Sequence, residues 1–100
     1  MWLECVFNRC RYFVACCYHP PKPRYDNKLF IEVLLKDIDN INGSFCDAII
    51  IVCGDFNQLN TAFLEIDHGL VQIVTSPTHC GHLIDKVLVS RPDIYQCRVY

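Results

Sequence analysis

The chain has 100 residues, 52% of them hydrophobic and 20% charged, with a formal net charge of -2. That balance excludes a disordered chain and excludes recognition of a polyanion by bulk charge, so a nucleic-acid site would need a local basic patch or a metal ion. No apolar run reaches the roughly 18–20 residues that cross a bilayer, and Met1-Trp2-Leu3-Glu4-Cys5 lacks a basic start followed by a long apolar stretch; both predict an intracellular protein, cytoplasmic or nuclear.

The elements follow in order. Trp2 to Phe7 and Arg11 to His19 are aromatic and β-branched and predict two strands, joined by a hairpin turn at Asn8-Arg9-Cys10. Pro20-Pro21-Lys22-Pro23 then interrupts regular structure, because proline lacks a donor and disfavours helix before it. Asp26 is the expected N-cap of a helix from about Asn27 to Ile41. Leu29, Phe30, Val33, Leu34, Ile38 and Ile41 recur at three- and four-residue spacings and predict one apolar stripe. Gly43 is the expected residue just past the helix end.

Ala48 to Cys53 is almost continuously apolar, the pattern of a strand covered on both faces. Asn57 to Asn60 predicts a loop, and Thr61 to Asp67 a short helix closed by Gly69. Val71 to Val74 and Leu83 to Ser90 predict two more strands, with Pro77 and Gly81 punctuating the gap, and Gln96 to Tyr100 begins another. The alternation predicts a mixed α/β layered fold.

The chain has eight cysteines. Cys5, Cys16, Cys17 and Cys53 lie in apolar strand-like runs, where a reduced cysteine packs as a small hydrophobe, so free thiols are expected rather than a disulfide scaffold.

Gly54-Asp55-Phe56-Asn57 places an acid and an amide directly after the most apolar strand, where ligands gather in open α/β sheets. On an extended backbone Asp55 and Asn57 would project together, with Phe56 opposite. The carboxylate could orient or deprotonate a water, and the amide could donate to a phosphate oxygen. The plainer reading is a turn, a common use of Asp and Asn.

"CGDFN" after an apolar strand resembles the signature of the endonuclease/exonuclease/phosphatase superfamily, the fold of deoxyribonuclease I and of apurinic endonucleases. "CCYHPP" resembles its Tyr-x-Pro-Pro segment, and "SPTHCGHLIDKVLVS" its Thr-containing loop leading into an Ile/Leu-Asp strand. The helical interval agrees, and the set is most like the endonuclease domain that precedes a reverse transcriptase in non-long-terminal-repeat retrotransposons. The resemblance covers nearly the whole chain and implies a partial α/β sandwich of mixed β-sheet strands with flanking helices.

By the same resemblance, Tyr18 would contact the scissile phosphate and Asp55 would orient the attacking water and meet the metal. Asn57 would fix that acid and the phosphate, Asp85 would be the acid near the histidine or metal, and Thr78 would contact the DNA backbone. Magnesium or manganese would be the cofactor, DNA the substrate, and a reverse transcriptase domain the partner in the full element. Without the resemblance, Tyr18 would be a core strand tyrosine and Asp85 an exposed strand residue.

The family's metal-binding Glu, on an early strand, and its terminal Asp-His motif have no counterpart here, and the last residues are Cys97-Arg98-Val99-Tyr100. The expectation is therefore a fragment, lacking the N-terminal third and the histidine motif, with weak nuclease activity or none. The alternatives are a phosphatase or DNA-repair nuclease of the same superfamily, a non-catalytic α/β remnant or binding module, and a zinc site at His79, Cys80 and His82, whose spacing matches no common finger.

Overall fold

The structure is a computed structural model and describes residues 2–57 and 59–91; the strand expected from Gln96 lies outside the described residues. Five strands and two helices follow one another as β1 (Trp2–Phe7), β2 (Cys10–Tyr18), α1 (Asn27–Ser44), β3 (Ile49–Asp55), α2 (Ala62–His68), β4 (Val71–Gln72) and β5 (Asp85–Val89). The strands form one mixed sheet in the order β1-β2-β3-β5-β4, with β2 and β3 parallel and the other pairs antiparallel. This is a mixed α/β fold.

The β1–β2 turn is tighter than expected. Phe7 pairs with Cys10, so Asn8 and Arg9 alone make the turn, and both take positive φ (50° and 64°). A two-residue loop of that hand matches the twist of the flanking strands.

Asp26 caps α1 through its carboxylate, which accepts from the Lys28 amide at 2.9 Å. The helix runs one turn past Ile41, so Gly43 lies inside its last turn and Phe45 is the C-cap. The apolar stripe is narrower than the spacing predicts. Leu34 and Ile38 are buried, whereas Leu29 (55%) and Val33 (53%) are largely exposed. α2 ends at Gly69, whose φ of 66° is the left-handed conformation glycine adopts without strain.

Both helices pack on one face of the sheet. Their contribution is one cluster of Leu34, Ile38 and Leu64 against Ala15, Ile50, Val52 and Leu88. Phe56, Leu59 and Leu70 complete it from the connecting loops. Full burial of each large apolar side chain contributes about 1.5–3 kcal/mol. His68 Nε2 lies 3.4 Å from Asp39 Oδ1 and ties α2 to α1.

Alternation sends Tyr12, Val14, Cys16, Ile51, Cys53 and Val87 to the other face. None of these six is fully buried. The expectation that β3 is covered on both faces therefore fails at Ile51 and Cys53, because both described helices lie on the side of Ile50 and Val52.

Candidate functional site

Strand register, a long-range property, assembles the site. Tyr18 ends β2 opposite Asp55, which ends β3, and Asp55 lies opposite Asp85, which begins β5. The three side chains thus form one row across three adjacent strands, on the face away from the helices. Tyr18 is 65% exposed and Asp85 is exposed, whereas Asp55 between them is half-buried.

Gly54 permits this register. Its φ is +144°, and a Cβ placed there would meet the Cys17 carbonyl oxygen at 1.8 Å. Glycine lets the β2 backbone approach closely while Asp55 reaches the end of the pair.

The end of β2 is locked to the end of β3. The His19 amide donates to the Asp55 carbonyl at 2.8 Å, and the His19 carbonyl accepts from Asn57 Nδ2 at 2.6 Å. The His19 ring is buried, contacts Asn27 Oδ1 through Nε2 at 2.8 Å, and packs edge-on against Phe30. Its Nδ1 is buried without a hydrogen-bond partner.

Asn57 does not project beside Asp55. The strand ends at Asp55, Phe56 is fully buried, and Asn57 turns into the left-handed region with φ 49°. The Asn57 amide N–H donates to Asp55 Oδ1 at 3.0 Å. Asn57 therefore acts as the turn residue that orients the Asp55 carboxylate, and its side-chain donor is engaged with His19.

Thr78 approaches the row from the loop before β5. Its Oγ1 accepts from the amides of Ile84 (3.3 Å) and Asp85 (3.1 Å). The hydroxyl thus positions the start of β5, and its own proton remains to be donated.

Sequence reasoning missed Lys86. It sits opposite Gly54, and its ammonium donates to Thr61 Oγ1 at 3.1 Å and the Leu59 carbonyl at 3.4 Å. Burial pushes its pKa below the ordinary value, partly offset by Glu65. It holds the loop after Asn57 against β5. A lysine just after Ile84-Asp85 was the available signal, but only pairing shows what it reaches.

His79 and His82 form a two-residue turn around Cys80 and Gly81, both of positive φ. Among the described residues no three His, Cys, Asp or Glu side chains converge as a metal cage.

Asp55 and Asp85 are hard oxygen donors set side by side. Magnesium typically uses one or two carboxylates, with waters and phosphate oxygens completing its shell, rather than an all-protein cage. The donor set fits that mode. Comparison with family models, curated proteins and solved structures finds no significant match to the chain. No helix among the described residues is long and apolar enough to cross a membrane.

Proposed function

We propose that the row Tyr18–Asp55–Asp85 is the phosphodiester-handling site of a metal-dependent endonuclease of the deoxyribonuclease I type, from the endonuclease domain of a retroelement. The observation that carries this reading is the register, which aligns the phenol and both carboxylates on one open face. The sequence words resembling that superfamily meet in space at this row.

In this reading Asp55 orients the attacking water and accepts its proton, held in place by the Asn57 amide. The Tyr18 phenol donates to a non-bridging phosphate oxygen. Asp85 shares with Asp55 the holding of magnesium or manganese, which would offset charge developing on the phosphorus and leaving oxygen. Thr78 donates its hydroxyl proton to the DNA backbone while its oxygen keeps the amides of β5. DNA is the proposed substrate, and a reverse transcriptase domain the proposed partner.

A second reading, a non-catalytic α/β module, is favoured by the size of the site: among the described residues no third carboxylate or histidine joins the two aspartates. A catalytic unit that lacks members loses several orders of magnitude in rate, so nicking of supercoiled plasmid by this chain is expected at or near background.

Metal binding is the direct test. Magnesium or manganese is expected to raise the unfolding temperature of the wild type, with the rise lost in Asp55→Asn and reduced in Asp85→Asn. Absence of any metal-dependent rise in a folded wild type, or a rise that persists in the double variant, overturns the proposal.

A further inference from the structure

Cys16 of β2 and Cys53 of β3 are register partners in the parallel pair, and their sulfurs lie 3.9 Å apart. Neighbouring strands run about 4.7–4.9 Å apart, within the Cα separation of about 4.4–6.8 Å that a disulfide requires. Both side chains sit on the face away from the helices, so neither strand must rotate. The sulfurs need to close by about 2 Å to reach bonding distance.

Among the described cysteines, the surroundings single out this pair. Cys17 lies opposite Gly54 and packs against the core on the helix side. Cys5 and Cys10 face Tyr12 and Phe7 in the β1–β2 register, and Cys80 lies in the turn between His79 and His82.

The geometry points to Cys16 and Cys53 as an oxidation site, at which a reversible disulfide bridges β2 and β3 two residues before Tyr18 and Asp55. The oxidant is hydrogen peroxide. Cys16 is exposed, whereas Cys53 is half-buried, with Ala15 carbonyl oxygen and Cys16 within reach of its thiol. Cys16, the exposed member of the pair, meets the oxidant first and is the first nucleophile.

The Cys16 thiolate attacks one peroxide oxygen. An S–O bond forms, the O–O bond breaks, and the departing oxygen leaves as water after taking a proton. The Cys53 sulfur then attacks the Cys16 sulfenic acid. The S–S bond forms, the S–O bond breaks, and the oxygen leaves as a second water with the Cys53 proton. Two thiols are oxidised and one peroxide is reduced to two waters. A dithiol reverses the bridge by exchange.

The bridge closes a loop spanning 37 positions that contains α1, so it restrains the unfolded chain. It stands under the Tyr18–Asp55 end of the row, yet its formation is independent of the nuclease reading.

The test uses the full chain, reduced and then exposed to hydrogen peroxide, with the remaining thiols alkylated and the peptides mapped by mass. The expected result is a cross-linked peptide joining positions 16 and 53, lighter by two hydrogen atoms. The unfolding midpoint rises by at least about 5 °C, and dithiothreitol reverses both changes. Cys16→Ser and Cys53→Ser each abolish the cross-link and the shift, and Cys17→Ser retains both. Cys16→Ala, on the exposed side of the pair, decides the matter if Cys53→Ser does not fold. Bridges confined to other cysteines, sulfinic acid at Cys16 with Cys53 still a thiol, or no thiol lost from a folded wild type overturns the inference.

Discussion

Asp55 and Asp85 face each other directly across the antiparallel β3–β5 pair. The Phe56 amide donates to the Ile84 carbonyl, and the Ser90 amide to the Ile50 carbonyl. These bonds make the aspartate pair a non-hydrogen-bonded one, in which Cα atoms approach to about 4.5 Å and side chains are closest. Like charges opposite each other destabilise a sheet, and a divalent cation between them would reverse that sign.

Asp85→Asn is therefore expected to stabilise the metal-free protein by a few tenths of a kcal/mol at low salt, since both groups reach solvent. The gain should shrink as ionic strength rises. Urea unfolding at two salt concentrations measures it, and a loss of stability at low salt would remove the repulsion from the account.

Gly54→Ala is expected to cost at least about 3 kcal/mol, from the left-side φ and the collision with the Cys17 carbonyl together. The end of the β2–β3 pair would part, and any magnesium-dependent rise in unfolding temperature that the proposed site confers would disappear with it. Denaturant unfolding gives the cost, and Gly81→Ala is the control, because its φ is also positive but no atom lies within 4 Å of an added Cβ.

Thr78→Val removes the acceptor shared by the Ile84 and Asp85 amides. A loss of about 1–3 kcal/mol is expected, with Thr78→Ser near wild type. Amide hydrogen exchange at Ile84 and Asp85 should speed up in the valine variant and not in the serine variant.

Under reducing conditions, stability is expected to fall as pH rises from 9 to 11. The folded Cys53 thiol titrates at about 11, against an ordinary value of 9.0, because burial opposes its thiolate. Below pH 9 both folded and unfolded chains hold the proton, and the contribution is fully present. Between these values the unfolded chain loses its proton first, which favours unfolding. Because the side chain is only half-buried and solvent screens part of the shift, the effect is on the order of 1 kcal/mol. Comparing wild type with Cys53→Ser across that window isolates it.

Local chemistry made most of the elements legible. The N-cap at Asp26, the break at the prolines, the apolar run before Gly54 and the stop at Gly69 each depend on neighbouring residues, and each expectation has its counterpart in the fold. The strand boundaries moved by a residue or two because pairing partners decide where a strand ends. Tyr18, Asp55, Thr78 and Asp85 were named from the sequence, and the fold gathers them at one end of the sheet.

What the sequence by itself determined was the succession of strands and helices, because propensity, capping and turn formation act over a few positions; it also named the candidate residues. Register belongs to the tertiary structure. Only the pairing of strands far apart in the chain aligned Tyr18 with Asp55 and Asp85, brought Cys16 against Cys53, and bent Asn57 away from the row toward His19. These contacts follow from how buried faces and backbone hydrogen bonds are satisfied across the whole sheet, and a one-position slip would send every one of those side chains to the other face.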